Sequence, residues 1–226
     1  MRGSLSTLAD KVSRRLQDHR RAYLHAKASR IAFSSGLGTS CDLLYGLVRS
    51  MKPNLCVEIG SARGRSACSI GMALKENGHG RLVAIDPHRR TEWNDYQSVD
   101  TFETITRNLA VLELADWVEI LRRTSDEAAL GWTLPIDMIF IDGDHSYAGV
   151  KRDWELFMPH VTQFGVVIFH DTIWDLRPGN GSREDMGVPM FVEELRAEGY
   201  PVLTIDKDCG VSLVQPVRGG IPLRRA

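Results

Sequence analysis

Short apolar runs alternate with longer amphipathic segments along most of the chain. The apolar runs predict strands at 55–59, 81–85, 118–121, 136–141 and 165–169. The amphipathic segments predict helices at 64–75, 100–112, 125–130, 147–158 and 188–198. Strands that are apolar throughout and that are separated by helices are typical of a parallel sheet covered on both faces.

The pattern changes near the end of the chain, where two more apolar runs, 202–205 and 211–214, are joined by the short segment 206–210. So short a connection cannot hold a crossover helix, and it predicts an antiparallel hairpin. The whole pattern therefore predicts an α/β three-layer sandwich. Its seven-stranded sheet is mostly parallel and ends in the hairpin, and helices precede it.

The segment 5–30 has helical periodicity with an apolar stripe and an excess of basic residues. We interpret it as an amphipathic helix that packs on the domain or on a second subunit, which favours a homo-oligomer. The alternative is an arm for nucleic acid or for an acidic substrate. A second helix is predicted at 40–51. These patterns divide the chain into an N-terminal helical extension at 1–51, acting as a lid or an oligomer contact, a main domain at 52–217 and a tail at 218–226.

Composition narrows the class of protein. The 226 residues are 43% hydrophobic and 25% charged, with a formal net charge of −1, so the chain as a whole carries no signature of a polyanion-binding protein and nucleic acid is not the expected partner. The four cysteines form no CxxC pair and are expected to be reduced. No apolar run is long enough to span a membrane, and the N-terminus does not resemble a signal peptide, so a cytoplasmic protein is expected.

The first candidate site is the turn in the sequence VEIGSARGRS, between the first predicted strand and its helix. Glycines there let the backbone approach a ligand, and the helix N-terminus offers free N–H groups. Glu58 is an acid at the end of an apolar strand, where packing does not explain it. Gly60 and Gly64 keep the outer glycines of an E-x-G-x-G-x-G pattern, with Ala62 between them. Asp86, at the end of the next strand, can take both hydroxyls of a ribose.

Two more groups of polar residues follow buried strands. Asp142, Asp144 and His145 follow the strand at 136–141, and His170 and Asp171 end the next strand. The carboxyl ends of neighbouring parallel strands lie about 5 Å apart, so these side chains are expected to meet. Carboxylates are hard ligands for divalent cations, and histidine can act as a base near neutral pH. The cluster predicts a metal site or an acid–base site.

Taken in order, these motifs resemble those of the class I methyltransferases, which use S-adenosylmethionine on a Rossmann-like fold. The resemblance covers roughly residues 40–215. It is strongest to the small natural-product and sugar O-methyltransferases related to the cephalosporin-biosynthesis and mycinamicin-sugar enzymes, and weaker to catechol O-methyltransferase. The phrases VEIGSARGRS, IDGDHSY and FHDT carry it together.

The resemblance implies a role for each residue at the cofactor site. The amino-acid part of S-adenosylmethionine would be held by Glu58, Gly60 and Ser61, with Gly64 in the same turn. Asp86 would hold the ribose, and the adenine would be flanked by Ser125 and Asp126.

The resemblance also implies a divalent metal, magnesium or manganese, on Asp142, His170 and Asp171, with His145 as the catalytic base beside Asp142. Two departures from the family pattern matter here. Ala62 replaces the central glycine, and His170 stands where close relatives carry a carboxylate or an amide, which favours softer ions than magnesium. Without a metal, His145 or His170 alone would serve as the base.

The expected partner is a small molecule with a hydroxyl acceptor, such as a sugar, a catechol-like phenol or a macrolide substituent. The long unpatterned segment 172–187 is predicted to form part of the acceptor pocket and to order on binding. Three alternatives stay open. An NAD-dependent oxidoreductase is disfavoured by the glycine spacing. A non-catalytic module that binds S-adenosylmethionine is disfavoured by the intact acid–histidine set, and a nucleic-acid methyltransferase rests on the basic N-terminal helix alone.

Overall fold

We analysed a computed structural model of the chain, which describes residues 3–29, 31, 37–89, 101–174 and 186–219. The chain divides into two compact units, 1–34 and 35–226. The first unit contains helix α1, Gly3–Ala28. The predicted helix at 40–51 therefore belongs to the larger unit, while the role proposed for segment 1–51 stays a prediction.

The larger unit alternates strands and helices in the order expected from the apolar pattern. Its helices are α2 (Ser40–Met51), α3 (Arg65–Asn77), α4 (Thr101–Val111), α5 (Ser125–Ala129), α6 (Tyr147–Phe157), a 3-10 turn (Met158–His160) and α7 (Val188–Ala197). Its strands are β1 (Leu55–Ile59), β2 (Arg81–Ile85), β3 (Val118–Leu121), β4 (Ile136–Ile141), β5 (Val161–His170), β6 (Val202–Ile205) and β7 (Val211–Val214).

The strands form one seven-stranded sheet with the order β3-β2-β1-β4-β5-β7-β6. The first five pair in parallel, whereas β7 pairs antiparallel with both β5 and β6. The predicted α/β sandwich with a terminal hairpin is therefore confirmed. The strand order reverses between β1 and β4, which opens a crevice at the carboxyl ends of these strands.

The strand β5 is longer than its apolar pattern predicts. The prediction covered 165–169, but the strand spans Val161–His170. Its first half contains polar residues and the exposed Phe164, and it meets β4 through a register shift between Ile136 and Met138. Sequence periodicity finds strands that are buried on both faces, so this half-exposed extension carried no signal.

The core lies against both faces of the sheet. On one face, alternate strand residues such as Val57 and Ile139 pack with Trp154 and Phe157 of α6 and with Phe191 of α7. The other face, to which Glu58 and Cys56 alternate, is contacted by α3, and α2 packs against α3. Among the described residues no helix combines the length and the apolar character needed to cross a membrane.

Candidate active site

The turn after β1 is held between the ends of its two neighbouring strands. The amide of Gly60 donates to the carbonyl of Ile85 at 2.9 Å, and the amide of Asp142 donates to the carbonyl of Ile59 at 2.9 Å. The carboxyl ends of β2, β1 and β4 are thereby fixed to one another. The residues that directly follow these strands therefore border the same crevice.

Glycine is required at two positions of this turn because the backbone is left-handed and crowded. Gly60 has φ +87°, and a Cβ there would lie 2.2 Å from the carbonyl oxygen of Asp142. Gly64 has φ +83°, and a Cβ there would lie 2.5 Å from Ile105 Cγ1. Ala62, which replaces the central glycine, also lies at a positive φ of 42°. The turn therefore keeps its shape despite the alanine, at the cost of a strained residue.

Glu58 is fully buried on β1, beneath the glycine turn. Burial raises the pKa of its carboxyl to about 8; the Ser66 hydroxyl lowers it in part, and the charges of Asp142 and Asp86 raise it further. Within the described part of the chain, neither of its oxygens accepts a hydrogen bond of good geometry, nor does the buried hydroxyl of Ser61 have a partner. Buried polar atoms without hydrogen-bond partners lower the stability of the folded protein, and they are suited to bind the polar groups of a ligand.

The carboxylate of Asp86 lies at the end of β2 and connects two turns. Its Oδ2 accepts from the amide of Ala62 at 2.8 Å, and its Oδ1 accepts from the amide of His88 at 2.6 Å. The His88 ring is buried, and its Nδ1 lies 3.0 Å from the hydroxyl of Thr101 at the start of α4. The carboxylate is thus fixed in orientation at the end of β2, and its contact with a ribose stays a prediction.

The two residues expected near an adenine lie at the start of α5. Thr124 caps this helix through a capping box with Glu127. The Asp126 carboxylate accepts two hydrogen bonds from Arg152 on α6, at 2.7 and 2.9 Å. The Ser125 hydroxyl lowers the pKa of the buried Asp153 carboxyl on the same helix. Asp126 therefore has a partner on α6, and the contacts of Ser125 and Asp126 with a base stay predictions.

Of the five acidic and histidine side chains expected to meet, four form one cluster, which we call the acid–histidine cluster: Asp142, His145, His170 and Asp171. The fifth, Asp144, instead accepts from the amide of Ser146 at 2.9 Å, just before α6. His145 Nε2 lies 3.1 Å from Asp171 Oδ2 and 3.4 Å from Asp142 Oδ1. His170 Nδ1 lies 3.2 Å from Asp142 Oδ1 and 3.2 Å from Asp171 Oδ1. The predicted meeting of the two strand ends is therefore present in the structure.

Mutual charge controls protonation in the acid–histidine cluster. Burial favours neutral imidazoles, but the hydrogen bonds that His145 donates to the carboxylates of Asp142 and Asp171 outweigh it and raise the pKa of His145 to about 9. The same carboxylates raise the pKa of His170 well above its usual value. In turn, burial would raise the pKa values of both carboxyls, but the two histidines lower them. The cluster therefore pairs two anions with two proton-binding rings.

Backbone contacts from the C-terminal hairpin position the last member of the cluster. Asp171 has a left-handed φ of 58°, which is strained for a residue with a side chain. The next two amides bond to the hairpin turn, from Thr172 to the carbonyl of Gly210 at 3.4 Å and from Ile173 to that of Cys209 at 3.1 Å. These bonds hold the chain where it leaves β5. Most of the segment predicted to line an acceptor pocket, 175–185, lies outside the described residues.

Sequence reasoning missed a buried acid, Asp153 on α6, which is only 3% exposed. A signal for it existed, because it follows Val150 by three residues and precedes Phe157 by four, which places it on the apolar face of the predicted helix. An acid on such a face needs a partner. Ser125, whose hydroxyl lowers the pKa of Asp153, lies on another element, so periodicity could not identify it.

Comparisons with known proteins agree with this geometry. A family model described as a methyltransferase domain matches residues 57–172. The O-methyltransferase TomG from Streptomyces achromogenes, solved with S-adenosylmethionine and involved in tomaymycin synthesis, is 20% identical, with a TM-score of 0.62 and 87% of each chain covered. An O-methyltransferase from Bacillus cereus, solved with S-adenosylhomocysteine, is 19% identical, with a TM-score of 0.59 over 87% of this chain and 89% of that one.

An uncharacterized protein of Sinorhizobium fredii is 26% identical over 56% of this chain and 14% of its own length. The chain spans half or less of the length of the curated relatives that it matches. Fold and family model together define a Rossmann-like sheet that carries a methyltransferase domain. The chain belongs to the methyltransferase-domain family, whose matched region runs from β1 to the residue after Asp171.

Proposed function

We propose that this protein transfers a methyl group from S-adenosylmethionine to a hydroxyl oxygen of a small molecule, such as a sugar or another natural product. The observation that carries the proposal is the acid–histidine cluster, which lies at the carboxyl end of the sheet next to the glycine turn. Methylation of a hydroxyl requires removal of a proton, and the cluster supplies proton-binding groups there. TomG and the Bacillus cereus enzyme are both named O-methyltransferases, which supports a hydroxyl acceptor, and TomG is involved in tomaymycin synthesis.

The cofactor would lie along the crevice between β2, β1 and β4. Its positively charged amino group would meet the buried carboxylate of Glu58, and Ser61 would bind the polar end of the same amino-acid part. Gly60 and Gly64 would let that part approach the backbone, since a Cβ at either position fills the space. The contacts from Ala62 and His88 orient Asp86 for the ribose hydroxyls.

The base of the cofactor would lie near the start of α5, beside Ser125 and Asp126. Helix α5 begins four residues after β3 ends, and β3 neighbours β2 in the sheet. A ribose at the end of β2 therefore directs its base toward this turn. The support is positional, because the side chain of Asp126 also contacts α6.

We assign His145 as the base that accepts the proton of the acceptor hydroxyl. In the reaction the bond between the sulfonium sulfur and the methyl carbon breaks, and a bond from the acceptor oxygen to that carbon forms. The sulfur leaves as a thioether, and the hydroxyl proton passes to the imidazole of His145. Carboxylates at 3.1 and 3.4 Å stabilise the imidazolium that results. Because the same carboxylates raise the pKa of His145 to about 9, the ring acts as the base in its neutral form, and the rate should rise with pH up to about that value.

The same cluster has the donor set of a divalent metal site. Asp142, His170 and Asp171 each offer a ligand atom, and these atoms lie within 4.8 Å of one another. Two carboxylates and one imidazole suit manganese or another transition metal better than magnesium. These three residues would hold the ion, and a bound ion would polarise the acceptor hydroxyl and lower its pKa.

The N-terminal extension is proposed to serve as a lid or as a contact between two copies of the chain. In α1, Val12, Leu16 and Tyr23 are 50%, 65% and 57% exposed. An apolar stripe of this kind favours a partner surface. Sedimentation of the full chain and of a variant lacking 1–34 tests the oligomer, and the proposal fails if both sediment as monomers.

The experiment for the main proposal is calorimetric titration with S-adenosylhomocysteine, with and without manganese, and with NAD as the control ligand. Binding of S-adenosylhomocysteine without binding of NAD is expected. A panel of sugars, catechols and macrolides is then screened for methyl transfer with labelled cofactor. Absence of S-adenosylhomocysteine binding in both metal conditions would overturn the proposal.

A further inference from the structure

The side chain of His88 is buried beside the proposed ribose site, and the proposed chemistry gives its ring no role. This side chain is 0% exposed, whereas that of Asp86, two residues earlier, is 14% exposed. His88 also has a left-handed φ of 47°, which is strained for a residue with a side chain. The contacts of the ring must therefore compensate for the strain in its backbone.

The ring of His88 is anchored to the start of α4. Its Nδ1 lies 3.0 Å from the hydroxyl of Thr101, and this contact is buried. The ring also meets that of Phe102 edge to face, with a centroid distance of 5.5 Å and an interplanar angle of 64°. A hydrogen bond and an edge-to-face contact both depend on direction. Together they fix the ring, and with it the backbone of residue 88, to α4.

The backbone of His88 in turn fixes one oxygen of the Asp86 carboxylate. The amide of His88 donates to Oδ1 at 2.6 Å, and the amide of Ala62 donates to Oδ2 at 2.8 Å. The main chain of Asp86 is fixed separately, because its amide donates to the carbonyl of Leu121 at 3.2 Å. The terminal torsion of an aspartate is otherwise broad, so the two amides determine the plane of the carboxylate. Each of its oxygens keeps a lone pair that can accept from a hydroxyl.

We propose that His88 is a positioning residue that makes Asp86 select a ribose over a sugar without vicinal hydroxyls. The ring, held by Thr101 and Phe102, keeps the amide of residue 88 directed at Oδ1. The plane of the carboxylate is then set before the ligand binds, so the two ribose hydroxyls meet oriented acceptors and no torsional freedom is lost at that step. This inference rests on the proposed function, since it needs a cofactor whose ribose lies at Asp86.

The test compares the binding of S-adenosylhomocysteine with that of its 2′,3′-dideoxy analogue by calorimetry. The variants are His88→Ala and Asp86→Ala. The control is His79→Ala, which removes a histidine that contacts Asn54 at 2.9 Å, before the other end of β2. Thr101→Val replaces His88→Ala if the latter does not fold, as judged by its circular dichroism and melting. It removes the hydroxyl next to the ring and keeps the shape of the side chain.

The wild type is expected to prefer S-adenosylhomocysteine at least about tenfold, because hydrogen bonds to an ionised carboxylate are stronger than neutral ones. Asp86→Ala should abolish the preference. His88→Ala, or Thr101→Val in its place, should lower the preference at least about threefold. The control should keep the wild-type ratio. A purely structural His88 would weaken both ligands equally and leave the ratio unchanged.

The possible failures are distinguishable. If the wild type binds neither ligand, the proposed function is wrong. If the wild type binds both ligands equally, or if Asp86→Ala keeps the preference, the ribose is not selected by Asp86 and the inference is overturned. If the His88 variant or its replacement keeps the wild-type ratio, the role of His88 is overturned. In these last cases the proposed methyl transfer stands.

Discussion

Replacement of Glu58 by glutamine should stabilise the ligand-free protein and weaken its cofactor binding. The carboxyl is fully buried, and burial raises its pKa from 4.5 to about 8. Between these two values the folded state binds a proton that the unfolded state has released, so stability falls as pH rises. Glutamine has the same shape as the protonated acid and does not ionise.

The expected size follows from linkage. With pKa values of 4.5 unfolded and about 8 folded, the contribution of Glu58 to the free energy of unfolding falls by about 3 kcal/mol between pH 5 and pH 8. Urea denaturation of the wild type and of Glu58→Gln at both pH values measures this contribution as the difference between the two proteins. As the pH rises from 5 to 8, the free energy of unfolding of Glu58→Gln should increase relative to that of the wild type by up to that amount.

The same variant should bind S-adenosylhomocysteine more weakly, because the amino group of the ligand loses its buried counter-charge. Calorimetry at pH 8 measures this loss, and at least a tenfold rise in Kd is expected. The reasoning is refuted if the stability difference between the two proteins is the same at pH 5 and pH 8. It is also refuted if the variant binds the ligand as tightly as the wild type does.

Three further predictions concern single substitutions. Gly60→Ala places a Cβ 2.2 Å from the carbonyl oxygen of Asp142 and should cost several kcal/mol of stability in urea denaturation, whereas Gly46→Ala on α2, with nothing within 4 Å, should cost nothing. His145→Ala should lower kcat about 10²- to 10⁴-fold and leave the Kd of S-adenosylhomocysteine within about threefold of the wild-type value. An unchanged kcat would exclude His145 as the base. Asp208→Ala removes the carboxylate that caps α2 at 2.8 Å and should cost about 1 kcal/mol; an unchanged denaturation midpoint would contradict that role.

The parallel part of the fold could be predicted from the sequence because its central strands are buried on both faces. The ranges predicted for β1, β2, β3 and β4 agree with the structure residue for residue. Such strands read as continuous apolar runs, and the carboxyl-edge rule then brings Glu58, Asp86, Asp142 and Asp171 to one side of the sheet. The residue types and the order of the strands along the chain were therefore sufficient to predict the edge of the sheet at which these acids lie.

The details that could not be predicted depend on contacts between separate elements. Nothing in the sequence indicates that Arg152 pairs with Asp126, because this contact depends on how α5 lies against α6. The left-handed backbone of Asp171 was also unforeseen. Aspartate tolerates this conformation better than most residues, but only the surrounding bonds make it necessary.

The two ends of the site are built by different parts of the chain. The proposed cofactor end depends on local turns between parallel strands, where Gly60 and Asp86 are fixed by backbone bonds to adjacent strands. The acid–histidine cluster depends also on the hairpin of β6 and β7, whose turn holds the segment after Asp171. Asp208 in that turn accepts from the amide and the hydroxyl of Thr39, at 2.8 and 3.0 Å, and so connects it to the start of α2. A change in the hairpin should therefore alter the acid–base chemistry while the cofactor contacts persist.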